Sequence, residues 1–226
     1  MSVAILQFPG TNCEQDVAYA YKSLKENVKI IWHKCENLPD ETTLVVVPGG
    51  FSYGDYLRSG AIARFSPIMR AVERFAKEGG YVLGICNGFQ ILCEAGLLPG
   101  ALKRNENLHF IHQWQDLRVC ANDNAFLCDY TLDSVISLPI AHADGSYYID
   151  EVGAQALEQN NQILLRYQSN INGSVGCIAG VCNENKNVFG LMPHPERAIE
   201  SVLGGVDGLA MLKALCENAN TLHHIG

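Results

Sequence analysis

A cysteine flanked by glycines is the sharpest chemical feature of the sequence. The segment Gly84-Ile85-Cys86-Asn87-Gly88 follows an apolar run and precedes a run with helical periodicity. A sharp strand-to-helix turn requires glycine two positions before and after the cysteine, because neighbouring Cβ atoms would collide there. The N-terminus of the following helix would lower the thiol pKa and hold a developing oxyanion. Cys86 is therefore the predicted nucleophile, and the alternative is a small buried hydrophobe.

A histidine between two prolines offers the base that a nucleophilic thiol needs. His194 and Glu196 lie in Met192-Pro193-His194-Pro195-Glu196, at the end of an apolar run. Proline fixes φ on both sides, which predicts an extended segment with the imidazole and the carboxylate on the same side. His194 would then exchange a proton, and Glu196 would set its tautomer. The alternative is a proline-rich loop whose histidine forms only local hydrogen bonds.

Glycines follow two further apolar runs, in Val47-Pro48-Gly49-Gly50-Phe51 and in Gly10-Thr11-Asn12. In an open parallel sheet the carboxyl ends of the strands form the ligand crevice, so these glycines are expected at the same edge as Cys86. Glycine lets backbone amides approach a ligand closely, as an oxyanion site requires. A tight turn without a binding role is the alternative explanation for the glycine pair.

Several other residues have chemistry whose role the sequence leaves open. His142, at a predicted hairpin tip, is either a structural histidine or part of the wall of a site. Cys13, at a predicted helix start, could also be activated, but the sequence shows no base for it. His109, His112 and Cys120 are close in sequence but lack a second ligand pair with usable spacing, so no metal site is predicted.

The scaffold that would bring these residues together is a parallel sheet. In the first half of the chain, apolar runs typical of buried strands alternate with periodic helical runs, which is the pattern of βαβ units. The predicted strands are residues 3–8, 28–33, 44–47 and 81–86, and the predicted helices are residues 13–26, 67–77 and 89–95.

The second half of the chain shows hairpin signals, which predict a mixed sheet. No linker or repeat divides the sequence, so residues 1–226 are expected to form one domain. The predicted hairpins pair residues 136–142 with 147–149 and residues 175–182 with 188–192, followed by a closing helix at 206–216 and a loose tail at 220–226.

The composition argues against several classes of function. Sixteen Lys plus Arg against 24 Asp plus Glu give a net charge of −8 without a basic cluster, so nucleic acid is not an expected partner. No apolar run approaches the roughly 20 residues of a membrane span, and no signal peptide is recognisable. Nine cysteines without a CxxC pair indicate reduced thiols, which predicts a cytoplasmic protein. Neither a P-loop nor a GxGxxG motif is present, so no ATP site is expected.

As a set, these motifs resemble those of the class I (triad) glutamine amidotransferases. The resemblance rests on Cys86 in Gly-Ile-Cys-Asn-Gly-Phe-Gln and on the downstream Pro-His-Pro-Glu. Four further segments resemble one subfamily in particular, the glutaminase subunits of phosphoribosylformylglycinamidine synthase. These segments are residues 7–16, 47–60, 139–145 and 192–197, and together they span nearly the whole chain. It implies a three-layer, flavodoxin-like α/β fold with a mixed, mainly parallel central sheet and antiparallel hairpins in the second half.

The resemblance also implies a role for each site residue. Cys86 would be the nucleophile, His194 the base and then the acid, and Glu196 the group that orients the imidazole. Many relatives carry histidine just before the glutamine of the C-x-G-x-Q pattern, where this chain has Phe89 as the purine subfamily does. The implied oxyanion donors and glutamine-binding residues are Gly49, Gly50, Phe51, Asn87 and Gln90.

The implied reaction is hydrolysis of glutamine to glutamate and ammonia. The ammonia would pass to a large synthetase subunit that uses ATP and Mg to convert formylglycinamide ribonucleotide to formylglycinamidine ribonucleotide in purine synthesis, assisted by a small third subunit. No cofactor or metal is expected in this chain. Two other classes stay open: a cysteine hydrolase or chaperone of the PfpI kind, which carries histidine where Asn87 stands, and a non-catalytic interaction subunit.

Overall fold

A nine-stranded sheet runs through the computed structural model, which describes residues 2–223 of the chain. Five helices and a separate two-stranded sheet complete the regular structure of that range, together with short 3₁₀ turns. The strands are β1 (Ser2–Gln7), β2 (Asn27–Trp32), β3 (Leu44–Val47), β4 (Tyr81–Ile85), β5 (Ala101–Lys103), β6 (Ile111–Val119), β7 (Val135–His142), β8 (Ser146–Tyr148), β9 (Ile163–Tyr167), β10 (Ile178–Cys182) and β11 (Val188–Leu191). The helices are α1 (Glu14–Ser23), α2 (Pro67–Lys77), α3 (Asn87–Glu94), α4 (Glu151–Gln159) and α5 (Leu209–His223).

The parallel half of the sheet aligns the loops that carry the predicted site. Strands β2, β1, β3, β4 and β11 lie side by side in that order, and each neighbouring pair is parallel. All four residues of β3 are buried, as an apolar strand covered on both faces requires. Parallel strands end at the same edge of a sheet, so Gly10, Gly49, Cys86 and Met192 follow their strands to one place.

The antiparallel half confirms one predicted hairpin and contradicts the other. β10 and β11 pair antiparallel, as expected for the second hairpin. The first hairpin is wrong: β7 pairs with β6, from Ile111 opposite His142 to Arg118 opposite Val135, whereas β8 pairs with β5 in the small sheet. Most residues of β6 are polar or exposed, which hides this strand from a search for apolar runs. The sheet as a whole is mixed, as predicted.

The helices differ from the prediction in α4, which the sequence does not predict, and at the C-terminus. α2 matches the predicted range, but α5 begins at Leu209 and continues through residues 220–223, which were predicted to be a loose tail. Ala219 is fully buried, so packing continues close to the end of this helix. Residues 224–226 of the predicted tail lie outside the described residues. None of the helices within residues 2–223 is long and apolar enough to cross a membrane.

Candidate active site

The thiol of Cys86 lies at a strained turn between β4 and α3. The backbone of this residue has φ 51° and ψ −106°, a conformation that residues with a Cβ rarely adopt. A Cβ on Gly88 would lie 1.8 Å from the carbonyl oxygen of Val47, and one on Gly84 would lie 2.8 Å from the carbonyl of Gly88. Close packing of α3 on the sheet therefore requires both glycines, which is the geometry predicted for the elbow.

His194 and Glu196 are in direct contact. Nδ1 of His194 lies 2.7 Å from Oε1 of Glu196, and both side chains are buried. The backbone is not extended as predicted: Pro195–Arg197 forms a 3₁₀ turn, in which the N–H of Arg197 donates to the carbonyl of His194. This turn folds the carboxylate back onto the imidazole. The φ of proline suits a 3₁₀ turn as well as an extended strand, so the prolines could not distinguish the two.

Neighbouring carboxylate and thiol groups raise the pKa of the His194 imidazole. Burial opposes its protonation, but the Glu196 carboxylate and the thiols of Cys86 and Cys13 outweigh burial and keep the pKa of His194 well above its ordinary value. Nδ1 is engaged by Glu196, which leaves Nε2 as the atom for proton exchange. The arrangement is therefore suited to a base that takes a proton from a thiol and holds it.

Cys13 shares this imidazole, which the sequence did not reveal. The expectation that Cys13 lacks a base is wrong, because ligand atoms of Cys13, His194 and Glu196 lie within 4.8 Å of one another. Nη2 of Arg197 also donates to Sγ of Cys13, at 3.1 Å. Burial nevertheless raises the pKa of Cys13, in spite of the opposing effects of His194 and Arg197. Cys13 therefore stays a neutral thiol near pH 7.

Gly49 lies where the reactive side chains converge. A Cβ at this position would lie 2.8 Å from Cε1 of His194, 3.0 Å from Sγ of Cys13 and 3.5 Å from Cβ of Cys86. The structure thus brings both thiols and the imidazole to the loop after β3, at the single sheet edge that the sequence predicts. Only hydrogen fits at position 49 without displacing the imidazole.

The remainder of this glycine loop is held against the loop after β1. The N–H of Phe51 donates to the carbonyl of Gly10 at 3.0 Å, and Gly50, with φ 145°, forms an isolated bridge with Thr11. A Cβ on Gly50 would lie 2.8 Å from Cα of Thr11. The amide of Phe51 is thus engaged in this conformation, and it would reach an oxyanion only after releasing Gly10.

Asn87 and Gln90 connect α3 to the surrounding loops. Oδ1 of Asn87 accepts from the N–H of Ser52 at 3.0 Å, and Nδ2 of Asn87 donates to Oε1 of Gln90 at 2.8 Å. Nε2 of Gln90 in turn donates to the carbonyl of Asp144 at 2.6 Å. Asn87 and Gln90 are both buried, so this network ties the glycine loop to the segment that follows β7.

A cavity of about 310 Å³ opens onto the thiol. Phe110 lies at its rim with half of its surface exposed. His112 belongs to the cavity wall, and among the described residues it forms no cluster of metal-ligand atoms with His109 or Cys120. Besides Cys86, Cys13 and His194, the wall includes Gly50, Phe51, Phe110, His112 and Ala141.

One family model and several known proteins are similar to this chain. The model of the CobB/CobQ-like glutamine amidotransferase domain matches residues 1–206. Phosphoribosylformylglycinamidine synthase subunit PurQ of Wolinella succinogenes is 63% identical over 216 residues, covering 95% of this chain and 99% of that protein. The PurQ subunit of Helicobacter hepaticus is 66% identical over 215 residues, covering 95% and 97%. A chain in the structure of PurLQS from Thermotoga maritima has a TM-score of 0.88 and 41% identity, covering 96% of this chain and 98% of that chain.

Proposed function

This chain belongs to the PurQ family of CobB/CobQ-like glutamine amidotransferases, and we propose that Cys86, His194 and Glu196 carry out its glutaminase reaction. It is the glutaminase subunit of a phosphoribosylformylglycinamidine synthase and acts in purine biosynthesis with a synthetase partner. The observation that carries the residue assignment is the 2.7 Å contact between His194 and Glu196, beside a thiol held on a strained elbow.

The proposed reaction begins at the thiol. Nε2 of His194 takes the proton of Cys86, and Sγ attacks the side-chain amide carbon of glutamine. Backbone N–H groups of Gly50 and Asn87 hold the resulting oxyanion, while Gln90 lies near the bound glutamine. The imidazolium, stabilised by Glu196, gives its proton to the amide nitrogen, and the C–N bond breaks to release ammonia. Water then hydrolyses the glutamyl thioester, which yields glutamate and restores the thiol.

The proposal extends to the rest of the assembly. The ammonia goes to the synthetase partner, which converts formylglycinamide ribonucleotide to formylglycinamidine ribonucleotide and holds the ATP and Mg of that step. A small third subunit takes part, in keeping with the PurLQS structure from Thermotoga maritima. This chain needs no cofactor or metal, because side chains and backbone amides supply every group in the glutaminase reaction. The assembly is proposed to work in the cytoplasm.

The synthetase should raise the glutaminase rate of this chain. In the chain by itself the Phe51 N–H is bound to Gly10, and a partner that loosens this contact would add an oxyanion donor. Glutamate release from glutamine should therefore increase by about tenfold or more when synthetase and its nucleotide ligands are added, a usual coupling between two sites. The measurement is a steady-state assay of glutamate with and without the partner. A rate that no partner changes would contradict this coupling.

Labelling should distinguish the two thiols that share His194. A glutamine analogue with an electrophile at the end of its side chain, used near stoichiometry, is expected to modify Cys86 first, because burial keeps Cys13 protonated. Glutamine should protect Cys86 from the analogue. Peptide mapping by mass spectrometry measures both effects. Modification of Cys13 in place of Cys86 would contradict the assignment of the nucleophile, because both thiols line the same cavity. Modification of several cysteines regardless of glutamine would place the glutamine site elsewhere.

A further inference from the structure

His142 is a buried histidine that the reaction described above does not use. It ends β7 and is 3% exposed. Among the described residues, nothing forms a hydrogen bond with its Nε2, which is fully buried. Buried polar atoms are nearly always paired, so an unpaired imidazole nitrogen beside an active site calls for a ligand.

The tautomer of His142 follows from the side chain of Asn105. Nδ2 of Asn105 donates to the carbonyls of His109 and His142, both at 2.9 Å, and Oδ1 accepts from the N–H of Gly145 at 3.0 Å. The orientation of this amide is therefore fixed, and Oδ1 is the atom 3.1 Å from Nδ1 of His142. An oxygen cannot donate, so Nδ1 must carry the proton. Nε2 therefore carries no hydrogen, so it can accept a hydrogen bond but cannot donate one.

The ring is also held neutral and in place. Burial, together with the neighbouring His194 imidazole, lowers the pKa of His142 to about 4. A Cβ on Gly145 would lie 2.2 Å from Nδ1, so the absence of a side chain there is what lets the ring pack against the turn. Around neutral pH, Nε2 of His142 is thus a hydrogen-bond acceptor on a ring that is fixed in position. The tautomer of this ring is also fixed, because the side-chain amide of Asn105 cannot rotate.

The backbone on both sides of His142 contacts the glutaminase site. The carbonyl oxygen of Ala141 lies 3.7 Å from Sγ of Cys86. The carbonyl of Asp144 accepts from Gln90, and that of Pro139 accepts from the N–H of His194 at 2.8 Å. The segment that carries His142 therefore touches the nucleophile, the base and the glutamine-binding helix.

We infer that Nε2 of His142 accepts a hydrogen bond from the amide nitrogen of glutamine and from the ammonia that this nitrogen becomes. This inference rests on the proposed glutaminase reaction. The carbonyl oxygen of the substrate needs donors, whereas the amide nitrogen carries the N–H groups that an acceptor requires. Addition of the thiolate forms the C–S bond and moves the π electron pair of the C=O bond to oxygen. When the C=O bond forms again, the C–N bond breaks and the proton held by His194 goes to nitrogen. His142 exchanges no proton, and is a positioning residue for the leaving group.

Two substrates with different leaving groups test the inference. The amide nitrogen of glutamine carries two hydrogens and leaves as ammonia, whereas the ester oxygen in the γ-methyl ester of glutamate carries no hydrogen before it leaves as methanol. Both keep the same α-amino and α-carboxylate groups and both acylate Cys86. The quantity to measure is kcat/KM for each substrate, because it reports acylation, with the chain bound to its synthetase partner.

Two variants of His142 separate the functions of its nitrogens. His142→Asn places an amide near the position of Nδ1 and keeps a donor for Asn105, but removes the acceptor at Nε2. His142→Gln extends an amide oxygen to the position of Nε2. The ratio of kcat/KM for glutamine to that for the ester should fall by about tenfold to a hundredfold in His142→Asn. It should recover at least in part in His142→Gln.

The ester also serves as the control for folding, because a misfolded variant loses both activities. Equal losses on the two substrates in a His142→Asn chain that still binds the synthetase partner, or no loss on either, would overturn the inference. Equal losses in such a folded chain would indicate a structural histidine or a contact to the α-amino group, since both substrates share that group. A wild-type chain that hydrolyses neither substrate would overturn the glutaminase proposal itself, and the inference with it.

Discussion

Replacing Cys86 with alanine should abolish formylglycinamidine ribonucleotide formation from glutamine while leaving the ammonium-dependent reaction near the wild-type rate. In the proposed mechanism Sγ of Cys86 forms the covalent bond to glutamine, so a variant without this thiol cannot begin the reaction. In the proposed assembly the synthesis step takes its nitrogen as ammonia, and the partner supplies the ATP chemistry, so added ammonium can replace the glutaminase reaction. The measurement is product formation by the reconstituted assembly with glutamine or with an ammonium salt.

A second cysteine provides the matched control for this experiment. Cys93 lies on α3, the helix that begins directly after Cys86, and its thiol donates to the carbonyl of Pro99 at 3.7 Å. Cys93→Ala should therefore retain both reactions. Loss of both reactions in Cys86→Ala would indicate a structural role for the thiol, and loss of neither would remove it from the mechanism.

Substitutions of His194 and Glu196 should differ in degree. In the proposed mechanism His194 moves a proton in both half-reactions, so His194→Ala should lower the glutaminase rate by several orders of magnitude, close to the loss of the nucleophile. Glu196→Gln keeps a side chain of the same shape against Nδ1 but removes the charge. It should therefore retain at least about tenfold more activity than His194→Ala. Steady-state glutamate release by both variants, with the synthetase present, measures the difference.

The pH dependence gives these variants an independent readout. The Glu196 carboxylate is one of the groups that raise the pKa of His194, so Glu196→Gln should lower that pKa. The ionisation of His194 in the pH–rate profile should then move to lower pH. Near-normal rates in both variants, or a profile that does not move in Glu196→Gln, would count against the triad.

The parts of the site that could be predicted are those encoded by local spacing. Glycine at 84 and 88 is required by packing within a few residues of Cys86, and His194 reaches Glu196 across a single turn. The central strands were also predictable, because strands buried on both faces form continuous apolar runs such as β3. Each of these features depends on residues that are close together in the sequence, so a local sequence pattern can predict it.

The parts that could not be predicted depend on pairings between distant segments. Cys13 meets His194 only because β1, β3 and β4 end side by side with β11, and no local pattern encodes that neighbourhood. The partner of β7 was missed for a similar reason, since its turn residues suggested β8 while the actual partner, β6, is largely polar. Strand order and side-chain neighbourhoods are properties of the assembled sheet.

The conformation of Cys86 has a consequence for the evolution of this fold. A residue with a side chain, held at φ 51° and ψ −106°, costs on the order of 1–3 kcal/mol relative to a relaxed backbone. Glycine would remove much of that cost, so selection for thermal stability alone would favour the loss of the thiol. The packing of α3 against the sheet must therefore contribute enough to the free energy of unfolding to offset this cost. Lineages in which that contribution is smaller can accept fewer destabilising mutations elsewhere.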